Sequence, residues 1–204
     1  MLTAIKNNKV VIFMDICALV LSGGRNTRMN GRNKAFLSYE HKAFIQNIID
    51  VLSEFKNVYI SVDNKEKYSN LNYKLIEDEY KEIGPIGGIY SSLKKIQEDY
   101  VFVTACDMPK LNKEFVEFLV NEITEDDMCV VVKDSKDRLY PLGGIYSKKI
   151  MPIVKMMIDN KDYKLGNLIK NVNGRIIPLS DMGFDREVLM NINSPDEYQR
   201  LKKH

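Results

Sequence analysis

The sequence predicts an α/β three-layer sandwich, a mostly parallel sheet with helices on both faces. Three observations point there. Short Val- and Ile-rich runs alternate with longer stretches of helical period. Eight of the eleven glycines gather where such runs end or break, as they do at the ligand-facing rim of open α/β sheets. The 204 residues, 45% of them hydrophobic, suffice for one fair-sized core. Residues 1–204 are therefore read as a single domain, with 1–13 as a dispensable N-terminal extension, because Met14 stands directly before the first strand.

The predicted strands are Cys17–Leu21, Val58–Val62, Lys74–Glu77, Val101–Ala105, Met128–Val132, Tyr140–Tyr146 and Arg175–Leu179, each a short apolar run between turn signals. Apolar residues three and four apart predict helices over Ala43–Phe55, Ile89–Ile96, Lys113–Ile123 and Lys149–Ile158. A last helix is announced by Ser194, Pro195 and Glu197 at its N-cap, first-turn and capping-box positions.

Composition excludes several functions. Thirty Lys and Arg against 28 Asp and Glu leave a formal charge of +2, too little for a surface built to bind nucleic acid. The apolar stretch Val10–Leu21 is broken by Asp15 and falls short of the roughly 18–20 residues of a spanning helix; no small-residue cleavage site follows it. With three widely spaced cysteines, Cys17, Cys106 and Cys129, set among apolar residues, the expectation is a cytoplasmic protein with buried thiols. Only His41, in a surface turn, and the terminal His204 are present, which removes Ser-His and Cys-His hydrolases and histidine-rich metal sites.

The first glycine cluster, Gly23, Gly24 and Gly31, lies in a segment from Ser22 to Lys34 that carries Arg25, Arg28, Arg32 and Lys34 and no carboxylate. Free backbone N–H groups in such a loop add to the positive field, so it reads as an anion-binding loop, the alternative being a solvated basic turn. It fits neither the P-loop string nor Gly-x-Gly-x-x-Gly. Asp107 follows the strand Val101–Ala105 and precedes Pro109, which stops that strand at the crevice. A lone carboxylate there can hold Mg²⁺ beside substrate phosphates, or merely cap a turn. Asp78, flanked by Glu77 and Glu79, ends another strand and is a candidate ligand for a base, ribose or metal; the second cluster, Gly84, Gly87 and Gly88, follows at a helix start. Tyr140-Pro141-Leu142-Gly143-Gly144 and Asn191-Ile192-Asn193 complete the crevice. Asn191 and Asn193 point to one side of an extended segment, as amide donors and acceptors or as a structural ladder.

Taken in order, Leu21-Ser22-Gly23-Gly24, Arg28-Met29, Lys34, Glu77-Asp78, Gly84-Pro85-Ile86-Gly87-Gly88, Cys106-Asp107-Met108-Pro109 and Asn191-Ile192-Asn193-Ser194-Pro195 resemble the molybdenum cofactor guanylyltransferases. The resemblance implies a Rossmann-like nucleotidyltransferase that joins GMP from GTP to the phosphate of molybdopterin with Mg²⁺. It further implies that Leu21, Ser22, Gly23, Gly24, Arg25 and Gly87 contact the nucleotide and that Lys34 takes its phosphates. Asp78 would lie on the guanosine side, Asp107 on both nucleotide and Mg²⁺, and Asn191 and Asn193 toward the pterin. Arg28, Lys34 and Asp107 form the implied catalytic set. Cofactor-synthesis proteins and recipient molybdoenzymes are the expected partners. Two positions depart from the pattern: Ser22 stands where the family usually has alanine, and Ser61 where it has asparagine. Paired glycines Gly23 and Gly24 favour guanine over cytosine by the same resemblance; a CTP-dependent transferase or a non-catalytic carrier are the competing readings.

Overall fold

The computed structural model describes residues 14–23, 33–69 and 72–202. The main sheet has seven strands in the order β5 (Lys74–Glu77), β4 (Val58–Val62), β1 (Ile16–Leu21), β6 (Tyr100–Ala105), β8 (Leu139–Ser147), β7 (Cys129–Lys133) and β9 (Arg175–Pro178). β5, β4, β1 and β6 pair in parallel, β9 is parallel to β7, and β8 runs against both its neighbours. A small antiparallel ribbon of β2 (Ser38–Tyr39) and β3 (Lys42–Ala43) stands apart from it.

Alternation along the strands makes the three layers, since successive side chains leave a strand on opposite faces. Ala18, Val20, Phe102, Val130 and Val132 meet helices α1 (Phe44–Val51) and α3 (Lys113–Glu122) through Ile45, Ile48, Phe115 and Leu119. Their neighbours Cys17, Leu19, Val101, Val103 and Val131 meet α2 (Pro85–Leu93), α4 (Met151–Asp159) and α5 (Leu165–Asn171) on the other face. A third cluster, Leu37, Phe44, Ile192 and Leu201, packs the ribbon against the closing helix α6 (Pro195–Leu201). Tyr198 edges onto the Phe44 ring, and its hydroxyl donates to the Ser38 carbonyl at 2.7 Å.

All seven predicted strands are present within two residues of their expected ends. Helices differ more. α1 stops at Val51 and Phe55 turns inward to stack on Phe102. α2 starts earlier than Ile89, because Gly84 takes a φ of 80° and Pro85 fixes the first helical turn. α5 was not predicted: seven residues carry too little periodicity to stand out. The capping box at α6 is formed, with the Ser194 Oγ accepting from the Glu197 N–H and the Glu197 carboxylate accepting from the Ser194 N–H. All three cysteines are free and buried. Among the described residues no helix is long and apolar enough to cross a membrane.

Leu19 sits at 0% exposure in the interior strand β1. Leu19→Ala should cost about 3 kcal/mol through the cavity it leaves, and thermal melting should show a midpoint lower by roughly 6–12 °C.

Candidate functional site

Register decides which residues share the site. Leu21 pairs with Ser61 on one side and with Ala105 on the other, while Val62 pairs with Glu77. Four parallel strands thus end level. The hydrogen bonds run one step further: Ser22 N–H to the Ser61 carbonyl, Asp78 N–H to the Val62 carbonyl, and Cys106 N–H to the Leu21 carbonyl, at 2.9, 2.9 and 3.0 Å. Ser22-Gly23, Asp63, Asp78 and Asp107 therefore leave the sheet at one carboxyl edge, where open α/β sheets bind ligands. A cavity of about 1120 Å³ lies there, larger than the ~300–1,000 Å³ of a pocket for one small ligand.

One side of the cavity holds a charged network. The Lys34 ammonium donates to Asp107 Oδ2 at 2.8 Å and to Asn193 Oδ1 at 2.9 Å, and the Asn191 amide donates to Asp107 Oδ1 at 3.2 Å. The segment that brings in both asparagines is pinned by the Ile192 N–H on the Asp107 carbonyl at 2.9 Å, with the Ile192 side chain fully buried. Asn191 and Asn193, two apart on an extended segment, then both face the cavity, as the alternation predicts. Lys34 and Asp107 are 17% and 13% exposed at their side chains, so the pair is only partly screened.

The other side is organised around Asp78. Its Oδ1 accepts from the Ser61 hydroxyl at 2.6 Å. Burial pushes its carboxyl up to about 6; the Ser61 hydrogen bond and Lys81 act in the opposite direction, Asp63 and Glu77 in the same one. Two glycines let the backbone close around it. A Cβ on Gly23 would lie 3.0 Å from Asp78 Oδ2, and one on Gly88 would collide with the Ser61 hydroxyl.

The predicted residues are sorted by this geometry. Leu21, Ser22, Gly23, Lys34, Asp78, Asp107, Asn191 and Asn193 all line the cavity. Gly87 is not among the lining residues: a Cβ there would sit 2.5 Å from the Tyr80 carbonyl, so its missing side chain serves the packing of α2. Gly88 takes the cavity position instead. Gly24, Arg25 and Arg28 lie outside the described residues. Of the Tyr140–Gly144 stretch only Leu142 reaches the cavity; the Tyr140 hydroxyl donates to Asp134. Sequence reasoning missed Asn33, Asn64, Lys67, Tyr80 and Lys81 as lining residues. Lys67 and Lys81 sit in mixed-charge turns, a pattern that reads as solvated surface.

Chemically, the cavity offers positive charge, neutral amides and four carboxylates, Asp63, Asp78, Glu82 and Asp107, and among the described residues no activated nucleophile. Burial and the adjacent Asp107 push the Cys106 thiol up to about 12, leaving it protonated. Among the described residues no group of three or more His, Cys, Asp or Glu forms a metal cage. A divalent cation at Asp107 would have to complete its shell with ligand oxygens and water, which suits Mg²⁺ beside phosphates.

Asp78 gives a prediction with a definite sign. Its folded-state carboxyl binds a proton more tightly than in the unfolded chain, so stability is lost as pH rises from about 4 to about 6 and the cost is constant above that. Asp78→Asn removes the cost. Allowing for partial solvent screening, the variant should gain roughly 1 kcal/mol, or about 2–4 °C in melting midpoint, at pH 8, and nothing near pH 4. A gain of the same size at both pH values would show that charge burial is not its source.

A family model described as the MobA-like NTP transferase domain matches residues 18–175. A protein of Clostridium perfringens (strain 13 / Type A), named probable molybdenum cofactor guanylyltransferase, is 36% identical over 191 residues, covering 91% of this chain and 96% of that protein. The molybdenum cofactor guanylyltransferase of Vibrio parahaemolyticus is 29% identical over 182 residues, covering 88% of this chain and 91% of its own length. Among solved structures, molybdopterin-guanine dinucleotide biosynthesis protein A of Archaeoglobus fulgidus superposes with a TM-score of 0.77 at 24% identity, over 91% of this chain and 96% of that one, a likeness of fold. Matched across the strands that carry Ser22, Asp78 and Asp107, the chain belongs to the MobA-like NTP transferase family and is a nucleotidyltransferase.

Proposed function

We propose that this protein transfers GMP from GTP to the phosphate of molybdopterin, giving molybdopterin guanine dinucleotide and pyrophosphate. The observation that carries the reading is the Lys34 ammonium held between Asp107 and Asn193, which supports a junction of two anionic substrates. The names of the curated relatives support the same substrates. We read the whole chain as one catalytic domain working in the cytoplasm, where three unpaired thiols stay reduced.

An oxygen of the molybdopterin phosphate attacks the α-phosphorus of GTP; the new P–O bond forms as the α–β bridging bond breaks, and the electron pair leaves with pyrophosphate. No proton has to be removed from a phosphate dianion, so the protein's contribution is alignment and charge neutralisation. Lys34 moves from carboxylate to phosphate oxygens and offsets the repulsion between the substrates. Gly23 and Gly88 let the nucleotide approach the backbone, and Asp78 binds on the guanosine side. Asn191 and Asn193 offer uncharged partners to the pterin. Asp107 would hold Mg²⁺, which when bound neutralises charge on the triphosphate. Lys34, in contact with that carboxylate, fits the role of its counter-charge until substrates arrive. We take cofactor-synthesis proteins and recipient molybdoenzymes as the partners that supply the acceptor and accept the product.

The direct test is pyrophosphate release with Mg²⁺ and molybdopterin, comparing GTP with CTP and omitting the acceptor in a control. Release with GTP that depends on molybdopterin is the expected result; preference for CTP would overturn the base assignment. Asp107→Asn should remove most turnover, at least 100-fold, with the melting curve still cooperative. Normal turnover at ordinary Mg²⁺ would take Asp107 out of the reaction. Lys34→Ala should weaken binding of GTP by about 10-fold or more and of guanosine by less than twofold. Equal losses for both ligands in a titration would contradict its assignment to phosphate.

A further inference from the structure

Tyr68 ends the 3-10 turn Lys65–Tyr68, a run of charged residues that reads as surface, yet its side chain is 1% exposed. Its hydroxyl is fully used. It donates to the Ser22 carbonyl at 2.6 Å and accepts from the Ser22 hydroxyl at 3.0 Å and from the Asn33 amide at 2.9 Å, which exhausts one donor and two lone pairs. Asn33 is occupied at both ends of its side chain. While its amide nitrogen reaches Tyr68, its oxygen accepts from the Ala35 N–H at 3.1 Å and so caps the 3-10 turn Lys34–Phe36. Phe36 of that same turn lies against the Tyr68 ring, with centroids 5.5 Å apart. Lys34 is the first residue of the turn, and its ammonium bridges Asp107 and Asn193.

We propose that Tyr68 is a positioning residue for the phosphate end of the site: its hydroxyl ties the end of β1 at Ser22 to Asn33, and through Asn33 sets the turn that presents Lys34. The inference rests on the reading of Lys34 as the phosphate-binding cation and adds a residue outside that set. Ser22 and Asn33 are eleven positions apart in sequence, and the tyrosine oxygen is the atom they share. A hydroxyl suits that place, being able to donate to the carbonyl while accepting from both side chains. Burial raises the Tyr68 pKa, so the donor keeps its proton at neutral pH. Ser22 is linked to the tyrosine oxygen twice, through its backbone carbonyl and through its hydroxyl.

The experiment titrates the full-length protein with GTP and with guanosine, and follows each variant's melting. Tyr68→Phe keeps the ring and its packing on Phe36 but removes the shared oxygen. Asn33→Ser keeps a cap acceptor for the turn but removes the amide that reaches Tyr68. Each should weaken GTP by about 10-fold and guanosine by less than twofold, because only the placement of Lys34 is lost. Where Tyr68→Phe melts too low to titrate, Asn33→Ser decides. GTP affinity within twofold of wild type, or equal losses for GTP and guanosine, would overturn the inference. The functional reading is judged separately, on wild-type turnover: if CTP proves to be the substrate, the same comparison with CTP and cytidine tests Tyr68 unchanged.

Discussion

Everything at the site depends on the parallel register of β1 between β4 and β6. Because Leu21 faces Ser61 and Ala105 directly, the residues that follow each strand emerge together, and side chains far apart in sequence converge without any one loop having to reach across the molecule. The register is itself enforced by the two cores. Shifting β1 by one residue would send Ala18 and Val20 to the face now filled by Cys17, Leu19 and Leu21, exchanging the two apolar sets. The apolar alternation that holds the sheet thus also fixes the positions of Asp78 and Asp107, and it does so before any polar contact is made.

Strand ends alone do not complete the charged network, since Lys34 and the asparagines arrive on segments outside the main sheet. The small cluster of Leu37, Phe44, Ile192 and Leu201 solves that problem. It buries the residue between Asn191 and Asn193 together with the chain just after Lys34, so a few apolar side chains hold the two polar groups at hydrogen-bond distance. The capping box adds a second anchor, because the Glu197 carboxylate also accepts from the Asn193 N–H at 2.6 Å. Each group therefore rests on packing or on a satisfied backbone bond rather than on its partner across the cavity. That is the support a site needs if its own ion pair is to open during use.

The sheet was legible because its strands are short, mostly apolar runs bounded by turn residues, and the carboxyl-edge rule then located Asp78 and Asp107. The asparagine pair was legible from alternation. Gly87 and Gly88 were not separable in sequence: adjacent helical glycines face different neighbours, and only the packing of α2 reveals that one meets the Tyr80 carbonyl and the other the cavity. Tyr68 was hidden for a different reason. Lys65-Glu66-Lys67 gives its turn the composition of a solvated loop, whereas the ring turns inward and its hydroxyl finds three polar partners on other segments. Ser61 read as a departure from a family pattern, yet in place it holds the Asp78 carboxylate at 2.6 Å.

Asp78 and Asp107 are both carboxylates at the ends of parallel strands, and their surroundings set them to different tasks. The strands that carry them are separated by β4 and β1, on the order of 14 Å at the usual interstrand spacing. Asp107 has a cation and an amide within hydrogen-bond distance, so its charge is answered inside the protein. Among the described residues Asp78 has only the Ser61 hydroxyl that close, and burial keeps its carboxyl near the point of protonation. A ligand donor that approached Asp78 would add a hydrogen bond to that carboxyl, in keeping with the proposed placement of the guanosine there. In the proposed reaction Asp107 would gain instead from a cation of higher charge than Lys34, which would leave the displaced ammonium free for phosphate. Under the proposed function, two identical side chains would divide the site into a base-facing end and a phosphate-facing end through nothing more than the difference in what surrounds them.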